Sequence, residues 1–124
     1  MSSPNMLRLK NRHLVLLADL GELGSLTRAA ARAGISQPAA TKALAELEAI
    51  FQAPLFVRGG ARLVPTDLGH QAIVRAQRML QEFKAWGREA DATRSGLSGH
   101  LHIGAVPYVS GDLLARLLAW LHRE

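Results

Sequence analysis

Apolar residues recur along this chain at helical spacing, broken at regular intervals by residues that start or stop helices. Leu9, Leu14, Leu16, Leu17 and Leu20 form one stripe, so a first helix is predicted from Leu7 to about Leu20, closed by Gly21 and Gly24. Ser25 is placed to cap a second helix that runs through Ala33, and Gly34 suits the left-handed residue that ends it. Ser36 caps a third helix, with Gln37 and Pro38 in the first turn, where proline loses no intrahelical hydrogen bond. Ala40, Leu44, Leu47 and Phe51 give that helix one apolar face, while Gln37, Thr41, Lys42 and Ala45 occupy the other.

Beyond Pro54 the period changes. Leu55 to Arg58 and Arg62 to Val64 read as short strands around Gly59-Gly60-Ala61, a small hairpin. Thr66 caps a long fourth helix through about Ala92, where Ala72, Ala76, Met79, Phe83, Trp86 and Ala90 alternate steps of four and three. That is the spacing of a coiled-coil seam, so Ala72, Ala76, Met79, Phe83 and Trp86 are read as a dimer interface. The stretch TRSGLSG then reads as a hinge, HLHIGAV as a strand, and Gly111 to His122 as a further amphipathic helix. The predicted domains are 1–65, a helical domain with a hairpin; 66–93, a dimerisation helix; 94–98, a hinge; and 99–124, the start of an α/β domain.

The second and third helices, joined by a glycine turn with Ala29 and Ala30 just before it, have the arrangement of a helix-turn-helix. Charge sharpens this. Of 15 Lys and Arg, eight lie at or before Arg62 against four acids, whereas the remainder is nearly balanced. A basic excess on a small domain points to a polyanion. With no cysteine there is no disulfide framework or thiolate metal site, and no apolar run is long enough to span a membrane. The start, MSSPN, lacks the pattern of a signal peptide, so a cytoplasmic protein is expected.

The stretch SLTRAAARAGISQPAATKALAELEAIFQAPLFVR resembles the DNA-binding domain of LysR-type transcriptional regulators. The likeness rests on Ser25, Ala29-Ala30, Ser36-Gln37-Pro38-Ala39, Thr41, Leu47-Glu48 and Leu55-Phe56-Val57-Arg58, with Thr66 and Gly69 following in order. It covers roughly residues 7–95, and Gly99 to Gly104 resembles the first strand of that family's effector-binding domain. Ala33 departs from a usual Leu, Gln52 from a Gly, Ala61 from an Arg and Pro65 from a Leu.

The resemblance implies a mainly α, winged helix-turn-helix fold with a β-hairpin wing and a long dimerisation helix. It also implies a piece of a longer regulator that ends just inside the effector domain. The expected partner is double-stranded promoter DNA, bound by a homodimer, with a tetramer as an option at full length. A small-molecule effector would control the full-length protein; no cofactor or metal is expected.

Within that frame Gln37 is suited to a base edge, adenine most readily, and Thr41 to a phosphate or a thymine methyl. Lys42 suits phosphate or guanine; Ser36 caps the helix, and Pro38 and Ala39 permit close approach. Arg58 and Arg62 flank the wing turn and are expected along the phosphates or in a minor groove, while Thr27 and Arg28 at the start of the second helix are expected to hold the backbone, with Arg32 a weaker candidate. His13, His70 and His122 stand alone, and no HExxH, phosphate loop or nucleophile elbow is present. Two other classes remain: a helical adaptor that docks a protein, and a small metalloenzyme using His100 and His102.

Overall fold

Ser25, Ser36 and Thr66 each start a helix, as their hydroxyls predict. In the computed structural model, which describes residues 3–99 together with Arg116, Ala119 and Trp120, four helices and a hairpin follow in order. They are α1 Asn11–Leu23, α2 Leu26–Ala33, α3 Gln37–Phe51, β1 Phe56–Gly59, β2 Arg62–Pro65 and α4 Asp67–Gly99. Ser25 Oγ accepts from Arg28 N–H, Ser36 Oγ from Ala39 N–H and Thr66 Oγ1 from Gly69 N–H. Each bond satisfies a donor the helix itself leaves free, worth about 1 kcal/mol.

The first helix differs from its prediction at both ends. Met6–Arg8 is a separate 3-10 turn, and Leu9 is extended, so α1 begins only at Asn11. Its start is organised by His13, whose Nδ1 accepts from Lys10 N–H at 3.0 Å. Gly21 lies inside α1 and does not end it. A Cβ there would collide with the Ile73 side chain of α4, so the missing side chain makes room for a helix crossing. The stop is Gly24, at φ +64°, whose N–H returns to Leu20 O.

Gly34 ends α2 at φ +69°, as expected. At the end of α3, Gln52 itself takes the left-handed position, φ +58°, so the cap survives without glycine. The wing is an antiparallel pair with Phe56 opposite Pro65 and Gly59 opposite Arg62, turned by Gly60 and Ala61. Leu63 N–H donates to Gly24 O, and Thr66 N–H to Leu55 O, which tie the wing to the α1–α2 turn and to the start of α4.

The chain divides into two compact units, Met1–Glu82 and Phe83–Glu124. The first unit's core gathers Leu14, Leu16, Leu17 and Leu20 of α1, Ala29 and Ala30 of α2, and Ala40, Ala43 and Leu47 of α3. Leu55, Phe56, Ala72, Ile73 and Ala76 complete it. This corrects the seam assigned to the fourth helix. Ala72 and Ala76 are buried in the unit's own core, because the first turns of α4 pack onto α1, so they are not free for a partner. Met79, by contrast, is about half exposed, at 47%.

In the second unit α4 continues through Gly99, so the residues expected as a hinge, 94–98, are helical. Arg94 pairs there with Asp91 one turn earlier, and Arg116 with Glu89 at 3.8 Å. Phe83 and Trp86 are exposed, at 52% and 67%. The strand expected at 100–106, with His100 and His102, lies outside the described residues. So does the helix expected at 111–122, apart from Arg116, Ala119 and Trp120, which are helical and exposed.

Candidate nucleic-acid interface

The start of α3 is an exposed surface on a helix end fixed by the Ser36 cap. Ser36, Gln37, Pro38, Ala39, Thr41 and Lys42 are all exposed, while Ala40, Ala43, Leu47 and Ile50 bury the other side. Thr27 and Arg28, exposed at the start of α2, lie across the turn, and the Thr27 hydroxyl donates to Gln37 Oε1 at 3.2 Å. The two helix starts are therefore one surface, linked by side chains as well as by the Gly34 turn.

Both acids of α3 are engaged inside the unit. Glu46 Oε1 accepts from His13 Nε2 at 3.3 Å and pairs with Arg12 at 3.5 Å. Because Nδ1 of His13 is already an acceptor, a neutral ring with its proton on Nε2 satisfies both contacts. The His13 hydrogen bond, with help from the Arg12 charge, holds the Glu46 carboxyl below its ordinary value. Glu48 Oε2 accepts from Leu55 N–H at 2.6 Å and Phe56 N–H at 3.4 Å, which fixes the entry to the wing. Sequence reading missed both roles; it left His13 alone because its partner Glu46 lies 33 residues away.

The cations divide in the opposite way. Among the described residues, Arg28, Lys42, Arg58 and Arg62 make no ion pair. Arg32 is the exception among the expected contacts. It bonds Glu22 at 2.7 Å and Asp19 at 3.4 Å, and the Arg32 hydrogen bond pulls the Glu22 carboxyl below its ordinary value. Its charge is spent on α1.

Arg58 and Arg62 differ from each other. Arg58 is exposed on β1. The Arg62 guanidinium lies over the α1–α2 turn, where a Cβ on Gly24 would come within 2.5 Å of Nη2. Its side chain thus reaches back to the α1–α2 turn, although its backbone flanks the turn of the wing. Ala33, which departs from a bulkier residue, lines an apolar groove of about 450 Å³ between α1 and α3, alongside Leu16, Ile35, Ala39 and Ala43.

Residues 11–70 match the family described as bacterial regulatory helix-turn-helix protein, lysR family. The crystal structure of a CbnR_DBD–DNA complex is 30% identical, with a TM-score of 0.60, over 70% of this chain and 97% of that one. The chain belongs to the LysR family. A second LysR-type structure, the BenM_DBD/catB site 1 DNA complex, is 25% identical with a TM-score of 0.67, over 70% of this chain and 97% of that one. The small neutral protease regulatory protein of Streptomyces coelicolor is 35% identical over 118 residues, 94% of this chain and 34% of the relative. The HTH-type transcriptional regulator GbpR of Azospirillum brasilense is 37% identical over 117 residues, again 94% and 34%. The chain spans about a third of the length of these two relatives.

Among the described residues no helix is long and apolar enough to cross a membrane, and no three His, Cys, Asp or Glu side chains are grouped to hold a metal.

Proposed function

We propose that this chain is the DNA-binding part of a LysR-type regulator that recognises promoter DNA by sequence. In this reading α3 enters the major groove. Gln37, Thr41 and Lys42 meet base edges, with Pro38 and Ala39 allowing close approach, and Ser36 holds the helix start. Arg28, Arg58 and Arg62 sit on phosphates and set the register. One observation carries the reading: the acids of α3 are engaged by partners within the unit, while Arg28, Lys42, Arg58 and Arg62 around this surface are exposed and make no ion pair among the described residues. A face pressed against phosphates needs that division of charge. The neighbours whose structures contain DNA support the same reading.

The second part of the proposal is assembly. Met79, Phe83 and Trp86 are exposed apolar side chains on α4, and a second copy covering them would bring two α3 helices onto one duplex, about 34 Å apart for a single helical turn. At full length the family resemblance assigns control to a small-molecule effector and allows a tetramer; we place the protein in the cytoplasm and give it no enzymatic role.

Selection of bound fragments from a pool of random duplexes tests recognition and assembly together. The expected result is an enriched site with two related half-sites in inverted order. Enrichment of a lone half-site would contradict dimeric binding, and enrichment of nothing would contradict sequence recognition.

A further inference from the structure

Thr27 and Gln37 belong to different helices, yet their side chains meet. Thr27 is the second residue of α2 and Gln37 the first of α3. Both backbones are pinned, by the Ser25 cap on Arg28 N–H and the Ser36 cap on Ala39 N–H. Across the turn the Thr27 Oγ1 proton goes to Gln37 Oε1, at 3.2 Å. A hydroxyl carries one proton, so while this bond stands Thr27 donates nothing to a phosphate. On the other side of the bond, Oε1 of Gln37 is aimed at Thr27 and its amide hydrogens are left over.

This has a consequence for base reading. A glutamine pairs with adenine through two bonds, Oε1 accepting from N6–H and Nε2 donating to N7. Guanine presents two acceptors, N7 and O6, and needs only donors. We propose that Thr27 is a positioning residue that turns the Gln37 carboxamide N–H outward and so sets its preference to guanine over adenine. This replaces the adenine preference expected from the residue type alone. In free solution the bond competes with water; against a base pair, with water excluded, it holds more firmly.

The inference rests on the proposed DNA-binding reading, and selection from random duplexes separates the two. If the wild-type protein enriches no site, the DNA reading itself fails. If it does, Gln37→Ala identifies the base step that Gln37 reads, because preference is lost there. At that step the wild type and Thr27→Ser, which keeps the hydroxyl, select guanine. Thr27→Val, which matches the shape without the hydroxyl, lowers the guanine-to-adenine ratio on the order of tenfold, with a smaller loss on random duplex. In the Gln37→Ala background the valine change alters nothing further at that step. Three results would overturn the proposal: adenine selected by the wild type, a ratio untouched by Thr27→Val, or equal losses on every duplex. The last would make Thr27 a phosphate contact.

Discussion

Leu44 and Leu47 lie three residues apart on α3, and only Leu47 is sealed from water, at 0% exposure. Leu47→Ala is expected to cost ~2–5 kcal/mol in denaturant unfolding, through the cavity it leaves. Leu44→Ala should cost less, and equal losses would contradict this burial. The apolar spacing of α3 predicted the helix and an inner face of Ala40, Leu44, Leu47 and Phe51. Ala40 and Leu47 are buried as expected, together with Ala43 and Ile50, while Leu44 and Phe51 are half-buried at the edge of the core. Periodicity gives a stripe; which edge of it a neighbour covers depends on α1, whose Leu16 lines one groove together with Ala43 and whose His13 lines another together with Ile50. Glu46 offers a second test at this scale. Its folded carboxyl is held below the ordinary value of 4.5, first by the His13 hydrogen bond and then by Arg12. A depressed pKa stabilises the fold above the ordinary carboxylate range, and that contribution disappears as pH falls through the folded value. Wild-type protein should therefore exceed Glu46→Gln in stability at neutral pH, with the gap closing below about pH 4. A gap that persists in acid would remove the carboxylate from the account.

At the scale of elements, what sequence shows well is chemistry that acts on near neighbours. Ser25, Ser36 and Thr66 cap helices because their acceptors sit three residues from the donors they satisfy. Glycines are different, since one residue type serves two purposes. Gly24 and Gly34 end helices through positive φ, whereas Gly21 and Gly69 make room for distant segments. A Cβ on Gly69 would collide with the Leu55 carbonyl, the group that also accepts from Thr66 N–H. Gly69→Ala should lower stability by ~1–3 kcal/mol despite its better helix propensity. An unchanged or raised melting temperature would mean that α4 does not dock on that backbone. The composition of TRSGLSG pointed to a hinge, yet the residues continue α4. Once a helix is under way each added residue costs only its own propensity, and the Asp91–Arg94 pair offsets part of that.

For the whole molecule, the charge count along the chain located the basic half but not which cations remain available. Arg12 and Arg32 are paired with acids of other helices, while Arg28, Lys42 and Arg58 are not. The seam on the fourth helix was likewise half legible. Its spacing held for one continuous helix, but Ala72 and Ala76 had already been taken by the first unit's core, leaving Met79, Phe83 and Trp86 exposed. A stripe does not record whether its partner lies in the same chain. The central claim is that this exposed positive charge meets the phosphates of DNA, and equilibrium titration of duplex across a range of salt tests it most directly. The account predicts that log Kobs falls linearly with log salt, and that Arg58→Ala weakens binding to all duplexes and reduces the slope by about one. No binding at low salt, or a slope that Arg58→Ala leaves unchanged, would contradict it.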